Sequence, residues 1–108
     1  MEDYIVNNAG AKIYHDIQKH EFLEIPVLDN ASESGNVYNV LSVGFIGAQR
    51  EPVASVKEPN GNVIAYRLPH ELNGWIENAI SMKMMGISLF PSKVEFGVLN
   101  DRVYVEML

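Results

Sequence analysis

Cysteine is absent from this chain of 108 residues. Its absence excludes disulfide bridges, cysteine-bound zinc, iron–sulfur clusters and cysteine nucleophiles. Long apolar runs are missing too, since no stretch approaches the roughly 20 residues that a membrane-spanning helix needs, and the first residues, Met-Glu-Asp-Tyr, are acidic where a secretory signal is basic. The sequence therefore predicts a cytoplasmic protein that does not associate with membranes and is stabilised by packing.

Basic side chains are scarce. Eight Lys and Arg residues stand against fourteen Asp and Glu residues, which gives a net charge of −6. Residues 1–36 contain seven of the acids and two lysines, so this third of the chain carries −5. A phosphate backbone is bound by clustered Lys and Arg. Because no such cluster is present, the sequence predicts no direct nucleic-acid binding.

Motifs for catalysis, nucleotide binding and metal binding are also missing. No serine lies in a Gly-x-Ser-x-Gly setting, and Gly44 and Gly47 fall within a strand pattern rather than a phosphate-binding loop. His15 and His20 are five residues apart and would point in different directions on a helix. The sequence therefore predicts no cofactor, no metal site and no catalytic residue that a motif defines.

The apolar pattern that is present is typical of an α+β domain, with a mostly antiparallel sheet of about five strands packed against one main amphipathic helix. Residues 1–108 are predicted to form a single domain. Pro69 begins the helix, Gly86 provides its end, and Gly74 within it indicates close packing. The predicted strands cover 37–47, 53–58, 62–68, 94–99 and 102–107, and the predicted helix covers 69–85.

Two turn signals determine the predicted strand pairing. Asn60-Gly61 predicts one hairpin, and a two-residue turn at Asn100-Asp101 predicts another. The second turn places Glu95 opposite Glu106 on one face and puts apolar pairs on the other face. The predicted core contains Leu41, Val43, Phe45, Leu72, Ile76, Ile80, Phe96, Val98, Val103 and Val105.

The N-terminal third carries weaker signals. Ile13 and Ile17, four residues apart, predict a short helix over 11–21, with a strand as the alternative. Residues 24–36 are rich in Pro, Asp, Asn, Ser and Gly, whose side chains and backbone preferences favour turns. This segment is predicted to be a flexible acidic loop.

Function is predicted from charge rather than from a motif. We expect a non-enzymatic protein-binding module whose partner has a basic surface, because acidic side chains are concentrated in one part of a small chain. Acidic bacterial immunity and antitoxin-like inhibitors, which cover basic toxins or nucleases, have the same general character, although no motif is shared. The predicted partner-binding residues are Asp16, Glu21, Glu24, Asp29 and Glu33.

Two other functions stay open. Carboxylates directly opposite each other on a sheet perturb each other's pKa, so Glu95 and Glu106, with Tyr104 or a histidine, are a candidate acid/base pair of a small enzyme or ligand-binding domain. Alternatively, the chain is a structural subunit or homodimer, joined through an exposed strand edge or the methionine-rich end of the helix. The methionines there are predicted to fill gaps in the core; they are Met82, Met84 and Met85.

Overall fold

A computed structural model describes residues 3–108. Within that range the chain forms eight β-strands and one α-helix, which confirms the predicted α+β class. The helix, α1, spans Asn73–Met84 and follows a 3₁₀ turn at His70–Leu72. In chain order the strands are β1 (Tyr4–Val6), β2 (Lys12–Tyr14), β3 (Val27–Leu28), β4 (Asn36–Ile46), β5 (Glu51–Lys57), β6 (Val63–Arg67), β7 (Ser92–Leu99) and β8 (Arg102–Met107).

Six of the strands form one sheet. β6, β5, β4, β7 and β8 follow one another as antiparallel neighbours, and the two-residue β3 pairs in parallel with the end of β7. Ala54 of β5 packs in the same cluster as Ile76 of α1, whereas the adjacent Ser55 accepts a hydrogen bond from the Asn7 side chain at 2.9 Å. The helix therefore covers one face of the sheet, and the N-terminal segment with β1 and β2 covers part of the other.

The turn between β7 and β8 has the predicted two-residue form. Asn100 and Asp101 have φ angles of 54° and 62°, the left-handed conformation that a type I′ hairpin needs at both positions. Glu95 consequently lies opposite Glu106, and the other pairs of this ladder follow the same register. The predicted pairing of these two strands is confirmed.

A β-bulge in β4 changes which of its residues face the core. The pairing with β5 shifts just after Val40, so the core-facing residues are even-numbered before the bulge and odd-numbered after it. Tyr38 and Val40 therefore share the core with Val43 and Phe45. The prediction grouped Leu41 with Val43 and Phe45 by simple alternation, and this is wrong because Leu41 lies at the bulge.

The core between sheet and helix is centred on Phe96, whose side chain is fully buried. Its ring centroid lies 5.8 Å from that of Trp75 and 6.0 Å from that of Tyr38. The prediction is confirmed for Leu72, Ile76 and Phe96, which are buried, while its other members are half-buried. Buried core residues that the prediction missed are Leu23, Val40, Ala54, Val56, Leu68 and Val94.

Residues 11–21 do not form the predicted helix. Lys12–Tyr14 form β2, which pairs with β1, and Ile17–Lys19 form a single 3₁₀ turn. The Asp16 carboxylate caps this turn by accepting a hydrogen bond from the Gln18 N–H at 3.0 Å. The strand alternative is correct for residues 12–14. The helix prediction failed because a strand followed by a turn can also place apolar residues four positions apart.

The predicted loop over 24–36 contains the short strand β3 and a turn with its own hydrogen bonds. The Asn30 side chain accepts from the Ser32 N–H at 3.0 Å, and the Glu33 carboxylate accepts from the Asp29 N–H at 3.0 Å. These bonds shape the loop between β3 and β4. Its flexibility stays a prediction.

Gly86 terminates helix α1 as predicted, lying just beyond its last residue, Met84. Gly86 has a φ of 85° and donates its N–H to the Lys83 carbonyl, and the Ile87 N–H donates to the Met82 carbonyl at 2.8 Å. This pair of bonds is a Schellman motif, which satisfies the last carbonyls of the helix. Within residues 3–108 no helix is long and apolar enough to cross a membrane.

Gly74, in the first turn of α1, does not mark the close packing that was predicted. A Cβ atom at this position would meet nothing within 4 Å. We expect Gly74→Ala to raise the free energy of unfolding by about 0.5 to 1 kcal/mol, because alanine favours the helix and restricts the unfolded chain. Urea denaturation of the two proteins measures the change, and a loss of stability would contradict this reading of the helix surface.

Candidate functional site

The five acids predicted to bind a partner are all exposed, but they do not form one surface. Asp16 lies at the start of the 3₁₀ turn in the N-terminal segment. Glu21 and Glu24 lie near tyrosines on the helix side of the sheet. Asp29 and Glu33 belong to the loop before β4, and Glu33 lines a cleft on β7 and β8. The predicted set is divided among three places.

Glu21 and Glu24 lie beside two tyrosines and Glu58, an acid that the prediction missed. The Tyr66 hydroxyl donates to the Glu58 carboxylate, and the Tyr38 hydroxyl donates to the Glu24 backbone carbonyl at 2.6 Å. The hydrogen bond to Glu58 raises the pKa of Tyr66 to about 12, and burial raises the pKa of Tyr38. Both hydroxyls stay protonated at neutral pH, so they serve as hydrogen-bond donors rather than bases.

We expect the hydrogen bond from Tyr66 to Glu58 to lose its stabilising effect as the pH rises above about 10. A tyrosine in the unfolded chain loses its proton near pH 10, whereas Tyr66 in the folded chain keeps its proton up to about pH 12. The unfolded state binds fewer protons in this window, so rising pH favours unfolding. Below pH 10 the stabilisation is fully present.

Comparison of the wild type with Tyr66→Phe isolates this effect from the titration of lysines. Urea denaturation between about pH 9 and about pH 11.5 covers most of the window in which the two states differ in protonation. The stability advantage of the wild type should shrink steadily across it. An advantage that does not change with pH would show that the hydroxyl is not held by Glu58.

Glu95 and Glu106 lie side by side on the sheet face opposite α1, but their surroundings differ. The half-buried Glu95 carboxylate accepts hydrogen bonds from the Tyr104 hydroxyl at 2.5 Å and from the Gly35 N–H at 3.3 Å. The bond to Glu95 raises the pKa of Tyr104. Glu106 is exposed and makes no ion pair within the described range. The two carboxylates are therefore adjacent but differ in environment: Glu95 is fixed by hydrogen bonds, and Glu106 is exposed to solvent.

Two glycines allow Tyr104 and the preceding loop to approach Glu95 closely. A Cβ atom at Gly97 would lie 2.5 Å from the Tyr104 ring, and one at Gly35 would overlap the Phe96 carbonyl. The ring consequently lies directly over the β7 backbone. The Glu95 carboxylate is held in place by this close packing and by its two donors.

Glu33 joins the pair in a shallow cleft of about 310 Å³. Glu33, Glu95 and Glu106 contribute three carboxylates and Arg102 contributes one guanidinium, so the ionised cleft carries −2. The leucines and the tyrosine ring give it apolar walls. Its remaining lining consists of Leu28, Ala31, Leu99 and Tyr104.

This arrangement is better suited to binding a cation than to proton transfer. Glu95 already accepts two hydrogen bonds, and its neighbour Tyr104 is a donor with a raised pKa. Across residues 3–108 no three His, Asp or Glu side chains are placed to hold a metal ion. A lysine or arginine side chain could lay its apolar stem along the leucines and place its charge among the carboxylates.

The sequence indicated the parts of this cleft separately. The register of the β7–β8 turn indicated Glu95 and Glu106, and the excess of acidic residues in the N-terminal third indicated Glu33. The two indications were interpreted as alternative sites with different functions. Their meeting depends on β3, which pairs with β7 in parallel and brings the loop across the sheet. No local pattern in the sequence indicates that pairing, since two residues are too few to show alternation.

The methionines at the end of α1 differ from the prediction. Met84 and Met85 are 83% and 73% exposed, so they do not fill gaps in the core, whereas Met82 is half-buried. None of the three lines the groove of about 250 Å³ whose wall includes Ile80 and Phe90.

Comparison with models of protein families, with curated proteins and with solved structures finds no match to this chain.

Proposed function

We propose that the protein is a non-enzymatic protein-binding module that docks a partner with a basic surface. The observation that carries this proposal is the cleft in which Glu33, Glu95 and Glu106 surround one shallow, partly apolar depression. Carboxylates at such a site attract a cationic side chain over a distance and hydrogen-bond it after contact. The rest of the chain contributes a net negative charge that favours the same class of partner.

Within the cleft the carboxylates have different roles in this proposal. Glu95 is fixed by Tyr104 and Gly35 and forms the floor. Glu33 and Glu106 lie at the exposed wall and meet the incoming charge first. Asp29 lies beside Glu33 in the same loop but does not line the cleft. Asp16, Glu21 and Glu24 lie elsewhere and contribute through the general acidic field.

The proposal includes a biological role for this binding. An acidic inhibitor of the immunity or antitoxin kind, acting in a bacterial cytoplasm on a basic toxin or nuclease, has the charge and small size of this chain. Binding in that setting would be strong only if one or two basic side chains were well buried, because exposed charge pairs contribute about 0 to 1 kcal/mol each.

Capture from an extract of the native cell tests the proposal. Three immobilised proteins are compared: the wild type, the double variant Glu33→Gln and Glu106→Gln, and the control Glu71→Gln and Glu77→Gln, which removes the same charge from the opposite face. Gln at position 33 still accepts the Asp29 hydrogen bond, so the loop is preserved. A basic protein should be retained by the wild type and the control and depleted on the cleft variant. Equal retention by all three would contradict the cleft as the docking site.

A further inference from the structure

Strand β4 is longer than its neighbour β7, so part of one edge of β4 has no partner strand. The ladder between the two strands begins at Ser92, which lies opposite Val40. The residue before it, Pro91, has no backbone N–H to donate to a ladder. Within residues 3–108, the part of β4 after Val40 therefore has β5 on one side and no strand on the other.

The backbone groups of Val43 and Phe45 face this free edge. Phe45 lies opposite Pro52 of β5, whose carbonyl points the other way and accepts from the Leu68 N–H at 2.8 Å. Phe45 and Pro52 are thus a pair without mutual hydrogen bonds, so both polar backbone groups of Phe45 point away from β5. Val43, two residues earlier in the same register, points the same way. None of these four groups has a hydrogen-bond partner among residues 3–108.

The groove of about 250 Å³ lies in the gap that β7 leaves beside this edge. Strand β4, the second half of α1 and the segment before β7 all contribute to its lining. Most of that lining is apolar and comes from Leu41, Val43, Ile80, Leu89 and Phe90. An apolar side chain on a strand added to β4 would find its contacts here.

Lys83, in the last turn of α1, gives the groove a positive charge. Among the described residues it is the one charged side chain of the lining, and no carboxylate lines the groove with it. Lys83 is exposed and makes no ion pair within residues 3–108. The groove is therefore locally positive on a chain whose net charge is −6.

We propose that this groove binds the end of an extended peptide that has an apolar last residue and a free C-terminal carboxylate. The peptide lies along β4 as an added strand and bonds the free backbone groups of Val43 and Phe45. Ser92 already occupies the place opposite Val40, so the added strand has to end in the groove. A C-terminus that ends there brings a carboxylate to Lys83, whereas an N-terminal amine would be repelled.

The orientation of the peptide follows from the same contacts. Its C-terminus lies at the end of the groove near Leu41, and its earlier residues extend toward Phe45, so it runs antiparallel to β4. The backbone hydrogen bonds can form with any sequence, and the last side chain and the carboxylate select the ligand. This site is separate from the acidic cleft on β7 and β8 and does not rest on the proposed function.

Binding of a synthetic peptide to the full chain tests the proposal. The probe is acetyl-Ser-Thr-Val-Thr-Leu with a free carboxylate, and its counterpart is the same peptide with a C-terminal amide. We expect the acid to bind about tenfold more tightly than the amide, because only the acid forms a charge-assisted bond with Lys83. In an NMR titration the backbone amide signals of Val43 and Phe45 should shift.

A lysine variant identifies the group that holds the carboxylate. Lys83→Gln should lower the affinity of the acid to that of the amide and leave the amide unchanged. The matched control is Lys57→Gln, at an exposed lysine of β5 that does not line the groove, and it should keep the tenfold preference. Equal preferences in the wild type and in Lys83→Gln would contradict the role of Lys83.

N-methylated peptides test the added strand without changing the protein. Two acids are compared, one methylated at the nitrogen of the second residue from the C-terminus and the other at the third. Because hydrogen bonding alternates along an antiparallel pair, one methyl group should weaken binding about tenfold and the other should have little effect. Equal effects of the two methyl groups would exclude strand addition.

Two further results would overturn the proposal. One is the absence of binding at millimolar concentrations of the acid. The other is self-association of the wild type, measured by sedimentation equilibrium, that shifts the Val43 and Phe45 signals as the protein concentration rises. Such self-association would assign the free edge of β4 to a second copy of this chain.

Discussion

Truncation of Phe96 to alanine should lower the free energy of unfolding by about 3 to 5 kcal/mol, the range measured for large-to-small changes at buried aromatic positions. The Phe96 side chain is fully buried and packs against Trp75 and Tyr38. Its loss would leave a cavity between sheet and helix that the surrounding rings cannot fill without leaving their own contacts. Urea denaturation followed by tryptophan fluorescence measures the change.

A matched variant tests whether burial is the cause. Val37→Ala also truncates an apolar side chain next to this ladder, but Val37 is 48% exposed. It should change stability by less than about 0.5 kcal/mol. Comparable losses for the two variants would contradict the assignment of Phe96 to the centre of the core.

Replacement of His20 by alanine should lower the free energy of unfolding by about 2 to 4 kcal/mol, because it leaves the buried Ala65 carbonyl and the half-buried Tyr14 N–H without partners. His20 is buried, and its Nε2 accepts a hydrogen bond from the Tyr14 N–H at 3.0 Å. The proton therefore lies on Nδ1, which donates to the Ala65 carbonyl at 3.0 Å. One neutral ring thus joins β2 to β6.

Two controls identify the hydrogen bonds as the source of this loss. His20→Asn keeps a donor close to the position of Nδ1 and should recover part of the stability. His15→Ala, at an exposed histidine five residues earlier, should have almost no effect. If His20→Asn is as unstable as His20→Ala, the ring contributes through packing with Tyr14, whose centroid lies 5.3 Å away, rather than through its bond to Ala65.

The hairpins and the C-terminal end of the helix were predictable because short sequences determine them. The start of the helix was not, since the helix was predicted from Pro69, whereas a 3₁₀ turn at His70–Leu72 comes first and α1 begins at Asn73. Asn100 and Asp101 both adopt positive φ, and a two-residue turn leaves one register for β7 and β8. Gly61 has a φ of 91° at the turn between β5 and β6, where the Asn-Gly pair predicted a hairpin. Gly86 ends α1 for the same conformational reason.

The bulge in β4, the structure of residues 11–21 and the acidic cleft could not be predicted, because they depend on contacts between distant segments. The bulge after Val40 arises in the pairing of β4 with β5. No residue type at this point of the sequence indicates it. The spacing of Ile13 and Ile17 suits a helix, but His20 ties this segment to β6 and the chain forms a strand and a turn instead. Glu33 reaches Glu95 only because β3 pairs with β7.

The dependence of the association rate on salt tests the acidic cleft most directly. Once a partner is captured, stopped-flow mixing at a series of ionic strengths gives the rate for the wild type, for Glu33→Gln with Glu106→Gln, and for Glu71→Gln with Glu77→Gln. Charges at the contact steer encounter more strongly than charges elsewhere, and salt screens that steering. The cleft variant should associate more slowly than the control and show the flatter salt dependence. Identical rates and slopes for the cleft variant and the control would contradict the proposal that the partner docks at Glu33, Glu95 and Glu106.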